Sequence, residues 1–151
     1  MDNLLNYVNW VGDTGFEDLP LTEVDLACFT QLVYLPYEIA FEEKDHPALR
    51  EAGEAMAGVE ADKVYNVFFR KRLELMRDMM AQPRYQEIIL SHYVKEIDPE
   101  SEKQFCALTL TLPGGLRVLS FEGTDSSLVG WKEDFNMSFE SPVPAQEAAR
   151  A

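Results

Sequence analysis

The sequence predicts an α/β protein, α+β as this chain stands: N-terminal helices followed by a β-hairpin that forms part of a larger sheet. Three observations carry that reading. Apolar residues recur at helical spacing from Val24 to Met80, the period changes to two after Pro83, and Leu112-Pro113-Gly114-Gly115-Leu116 separates two strand-like runs. With 151 residues, 46% of them hydrophobic, the chain can bury one core but is short for an enzyme with a large parallel sheet. The expectation is a single partial domain over 1–151. It divides into an arm (1–20), a helical segment (21–85), strands and hairpin (86–124) and a closing segment (125–151).

The elements follow in order. Residues 1–19 mix Leu4, Leu5, Tyr7, Val8, Trp10 and Phe16 with Asp, Asn and Gly, which reads as an ordered arm with turns at Gly12-Asp13 and Gly15. Thr22 then caps a helix over 24–41 in which Leu26, Phe29, Leu32 and Val33 share a face, with Glu23 and Asp25 favourably placed in its first turn. Pro36 ends or kinks it. A short helix is expected over 47–56, entered at Pro47 and left at Gly58. A longer one over 61–80 carries Val64, Phe68, Leu75 and Met79 in one stripe, with Val67, Met76 and Met80 beside it, the methionines serving as adaptable core filler. Residues 88–97 are strand-like. Residues 105–112 alternate, so Cys106, Leu108, Leu110 and Leu112 face one way. The two glycines then turn the chain into a second strand over 117–122 that delivers Gly123-Thr124.

Thirteen basic against twenty-seven acidic side chains give a net charge of −14. That surface repels phosphate backbones and anionic headgroups, so nucleic acid is not expected as a partner. No run approaches the roughly 20 apolar residues needed to cross a bilayer, and no basic head precedes an apolar stretch, so no membrane insertion and a cytoplasmic location are expected. Cys28 and Cys106 read as free buried thiols. His46 and His92 are isolated, and Glu42, Glu43 and Asp45 lack the spacing of a calcium loop, so no metal and no cofactor are expected. Arg70-Lys71-Arg72 reads as a solvated helix face.

The most informative block is Phe121-Glu122-Gly123-Thr124-Asp125 followed by Gly130-Trp131-Lys132-Glu133-Asp134-Phe135. A strand that empties into a tight turn is a place to hold preorganised donors for the oxyanion of acyl transfer. Gly123 lets the backbone bend and a substrate approach, and Thr124 offers a backbone N–H and a hydroxyl. Asp125 can cap a short helix with Leu128, Trp131 and Phe135 on one face.

This block resembles the class 3 lipase family, in which a strand ends in Phe-Arg-Gly-Ser/Thr and a Trp and an Asp follow. The likeness is closest to a bacterial branch of lipase-like proteins. It extends to Val143-Pro144-Ala145-Gln146 and to the opening with Tyr7, Val8, Trp10 and Asp13. The resemblance implies an α/β-hydrolase sheet and an ester or acyl substrate. It also implies Thr124 in the oxyanion role, Gly123 in the turn, and Asp125, Trp131 and Asp134 in support. One position departs: Glu122 stands where the family has Arg. Glu122 and Asp134 would then repel unless Lys132 or Arg117 compensates.

A hydrolase of this type needs a Gly-x-Ser-x-Gly elbow, then an acid, then a His. The chain contains no such elbow, Ser126 and Ser127 belong to a capping turn, and both histidines precede Gly123. Cys106, on the apolar face of a strand, is expected to be inert. Residues 142–150 read as a Pro-led helix start. The expected function is therefore the oxyanion-bearing part of a lipase-like serine hydrolase, inactive by itself. The alternative is a non-catalytic scaffold or interaction module, self-associating through an exposed sheet edge or dimerising through the Cys106 to Leu112 face.

Overall fold

The computed structural model describes residues 2–58, 67–100, 103–123, 132, 134–139 and 141–150. Helices α1 (Asp2–Val11), α2 (Glu23–Leu32), α3 (Glu38–Glu43), α4 (Leu49–Ala55) and α5 (Val67–Met80) precede three strands, β1 (Ile89–Asp98), β2 (Lys103–Thr111) and β3 (Arg117–Phe121). A short helix, α6 (Pro144–Ala148), follows. This is the α+β arrangement that the periodicities predict.

The segment expected to be an arm is largely helix. In α1, Val8 and Val11 are buried, Leu4 and Leu5 pack beside them, and the helix lies against α2 and α5. The i, i+4, i+7 stripe of Leu4, Val8 and Val11 overrides the weak helix propensity of the helix's three asparagines, Asn3, Asn6 and Asn9. Asn9 fixes the contact by donating to Asp78 Oδ2 at 3.0 Å and accepting from Gln82 Nε2 at 3.0 Å.

Thr22 caps α2 as expected, within a full capping box. Asp25 N–H donates to Thr22 Oγ1 at 3.2 Å and Thr22 N–H donates to Asp25 Oδ2 at 2.9 Å. The helix stops at Leu32, and the 33–37 link around Pro36 separates it from α3, since the residue before a proline disfavours the helical region. Phe29, Leu32 and Val33 are buried, whereas Leu26 is exposed. Pro47 stands ahead of α4 rather than inside it. Ala48 there bridges Ile89, Leu49 N–H donates to Ile88 O at 2.7 Å, and Leu90 N–H donates to Pro47 O at 2.9 Å. These bonds tie the helices to the sheet.

Helix α5 buries Phe69, Leu73, Leu75, Met76 and Met79. The expected stripe is corrected at its start: Val67 and Phe68 are 63% and 65% exposed. Of three consecutive apolar residues only Phe69 falls on the 69, 73, 76 line that meets the other helices. Val64 lies outside the described residues. Met76 and Met79 fill the core, and Gly53 of α4 lets Met80 Sδ lie against its backbone.

The hairpin is the far part of a three-stranded antiparallel sheet in the order β1-β2-β3. Leu110 faces Leu90 on one side and Val118 on the other. The β2–β3 turn takes the expected form: Gly114 and Gly115 have φ of +92° and +88°, and Leu112 N–H donates to Leu116 O at 2.8 Å. Cys106, Leu108, Leu110 and Leu112 are all buried against the helices, in one core with Phe29, Leu32 and Leu75. Each such large side chain contributes roughly 1.5–3 kcal/mol through burial. This overturns dimerisation through that face, because the chain's own helices already cover it. Leu119 and Phe121 point to the other side and are exposed, and among the described residues the outer edge of β3 is unpaired.

One polar cluster sits inside the helical half. Arg84, in the turn after α5, is 1% exposed and Asp25 0%. Arg84 Nη2 donates to Asp25 Oδ2 at 2.7 Å, while Nη1 donates to Thr14 O at 2.9 Å and Leu19 O at 2.8 Å. Its guanidinium lies 3.9 Å over the Phe16 ring, and Tyr85 Oη donates to Asp25 Oδ1 at 2.8 Å. One arginine thereby fastens the 12–22 loop to both α2 and α5. Among the described residues no helix is long and apolar enough to cross a membrane.

Candidate functional site

Strand β3 delivers the chain to Gly123 by a short extension of the ladder. Glu122 N–H donates to Cys106 O at 2.9 Å, one residue beyond Phe121. Gly123 N–H then leaves the sheet and donates to the hydroxyl of Tyr34 at 3.0 Å. A Cβ at Gly123 would meet that oxygen at 3.2 Å, so the approach is close enough to favour glycine.

Tyr34 sits in the link after α2, and α5 holds it from the other side. The Arg72 guanidinium lies 3.7 Å over the Tyr34 ring and Arg72 Nε donates to Gln31 Oε1 at 3.4 Å. Burial lowers the Arg72 pKa, while Tyr34 and the negative charge of Glu122 act in the opposite direction. The negative charge of Glu122 thus favours the charged form of an arginine on α5. Arg117, one of two residues expected to answer Glu122, stands at the opposite end of β3, about 16 Å away at the rise of a strand.

Of the residues singled out in the sequence, Gly123 is seen in this setting, while Thr124, Asp125 and Trp131 lie outside the described residues, as does Leu128. Residues 132 and 134–136 are helical, and Asp134 is exposed. Phe135 is 66% exposed, with its ring 5.2 Å from that of Phe139. The Pro-led helix expected after residue 142 is present as α6, with Val143 buried at its start and Pro144 in its first turn.

The remaining candidates separate from this turn. Cys106 is buried, its thiol donates to Val33 O at 3.6 Å, and burial pushes its pKa up to about 12. Cys28 is pushed to about 12 by the same cause. Neither offers a thiolate near neutral pH, and both are free. His46 and His92 are exposed, with rings 6.5 Å apart, and His92 occupies the β1 bulge at φ +51° with Nδ1 3.0 Å from Ser91 Oγ.

Tyr34 and Arg72 are the residues that the sequence reading missed. Arg72 belongs to a basic triplet whose other members do form a solvated face, with Lys71 pairing Glu74 at 3.1 Å. Only its position on the α2 side of α5 distinguishes it, and no local pattern reports that.

Residues 79–151, just under half of the chain, match the model of the family described as Mbeg1-like. The matched stretch holds the whole sheet, Gly123 and α6. No curated protein and no solved structure matches the chain.

Proposed function

We propose that this chain contributes the oxyanion turn of a lipase-like serine hydrolase acting on an ester or acyl substrate. Thr124 supplies the oxyanion donor, Gly123 the turn, and Asp125, Trp131 and Asp134 support the loop. The observation that carries the reading is the way β3 runs out into Gly123, whose N–H meets the hydroxyl of Tyr34, a ring that Arg72 of α5 covers. The likeness of the Gly123 block to class 3 lipases supports it, and so does a family match that spans this block. Because the chain holds no Gly-x-Ser-x-Gly, the nucleophile belongs to sequence other than these 151 residues. The chain alone should therefore not turn over a short-chain aryl ester. Turnover by the chain alone that Thr124→Val abolishes would contradict that assignment.

A second reading, a non-catalytic interaction module, is favoured by the β3 edge, unpaired among the described residues, with Leu119 and Phe121 exposed beside it. It predicts concentration-dependent self-association in sedimentation experiments that Leu119→Lys suppresses. A monomer at all concentrations would remove that reading.

A further inference from the structure

We propose that the Tyr34 hydroxyl is itself a hydrogen-bond donor to an anionic ligand oxygen bound beside Gly123. This rests on the reading of the Gly123 turn as an oxyanion site. The Tyr34 oxygen accepts the Gly123 N–H at 3.0 Å, so its own proton must go to a different acceptor. Among the described residues the hydroxyl donates to no protein group. The ring is held in place by the Arg72 guanidinium 3.7 Å above its face, and Arg72 is in turn steadied by Gln31 Oε1 at 3.4 Å. A cation over the ring draws electron density from the phenol and makes its O–H a stronger donor.

The hydroxyl is thus fixed by three elements: the link after α2, α5, and the end of β3. A donor held in this way needs no reorganisation when charge develops on a ligand, which is the property an oxyanion site requires. Arg72 also supplies positive charge to a region otherwise occupied by Glu122. The ligand class that fits is a carboxylic ester passing through its tetrahedral oxyanion, or a stable tetrahedral anion of the same shape.

The probe is ethyl butylphosphonate, titrated into the 151-residue chain carrying ¹⁵N and ¹³Cζ-tyrosine labels. The Gly123 amide and the Tyr34 Cζ signals should move together with one saturation curve, and Tyr34→Phe should weaken binding by at least about tenfold. The Cζ signal reports donation by the hydroxyl, which a purely structural tyrosine would not change. Should Tyr34→Phe fail to fold, the wild-type Cζ response still decides. The proposal is overturned if the phosphonate does not bind, if Gly123 moves while Cζ stays, or if Tyr34→Phe binds equally well. Ester hydrolysis is read separately, in the protein expressed from its natural reading frame. If it is Thr124-dependent while any of these holds, only the role of Tyr34 is removed, and if it is absent while the Cζ signal responds, the donor stands and the hydrolase reading is removed.

Discussion

Arg84 and Asp25 are joined at 2.7 Å with both side chains fully shielded from solvent, fifty-nine residues apart in sequence. The pair closes the helical half over the 12–22 loop, because the same guanidinium also donates to the carbonyls of Thr14 and Leu19. Removing one partner strands a buried charge. Asp25→Ala should lower stability by about 3–5 kcal/mol in urea unfolding. The double variant Asp25→Leu with Arg84→Met should lose much less than the sum of the two single changes. Additive losses would show that the pair is not coupled.

The same carboxylate sets an acid dependence. Burial alone would raise the Asp25 pKa, but the hydrogen bonds from Arg84, the Thr22 N–H and the Tyr85 hydroxyl outweigh it and hold the group below its ordinary value. With the folded pKa below the unfolded one, the stabilisation is complete above the ordinary Asp range of about 4 and is lost as pH falls through the folded value. Unfolding free energy measured from about pH 7 to about pH 2 should fall more steeply for wild type than for Asp25→Asn. Parallel curves would contradict this assignment.

Two buried tyrosines should respond in opposite directions. Tyr85 donates to Asp25 at 2.8 Å, so Tyr85→Phe should cost about 1.5–3 kcal/mol, as expected for a bond to a charged group. The Tyr37 hydroxyl is buried and finds no partner among the described residues. Tyr37→Phe should leave stability unchanged or raise it by up to about 1 kcal/mol. Thermal melts of the two variants give the comparison, and equal losses would show that Tyr37 has a partner.

Much of the fold was legible because local signals agreed with tertiary packing. Thr22 with Asp25 three residues on, the two glycines after Pro113, and the alternation from Cys106 to Leu112 each correspond to an observed cap, turn and buried face. The misreadings have physical causes. Asparagines concealed the apolar stripe of α1, and three adjacent apolar residues at the start of α5 left its facing ambiguous until the neighbouring helices fixed it. Arg84 and Tyr34 act through partners distant in sequence, Asp25 for the one and Arg72 and Gly123 for the other, and an arginine in a turn carries no local mark of burial. At the site, sequence located the strand end and Gly123, while the residues that hold Gly123 came only from the fold.

On the proposed function, the turn beginning at Gly123 stabilises an oxyanion. Expressing the protein from its natural reading frame and measuring hydrolysis of an aryl butyrate by wild type, Thr124→Val and Thr124→Ser gives the test. Thr124→Val should lower kcat by about a hundredfold or more with KM little changed, and Thr124→Ser should restore most of it. Hydrolysis that is indifferent to Thr124→Val, or absent from the wild-type protein, would contradict it.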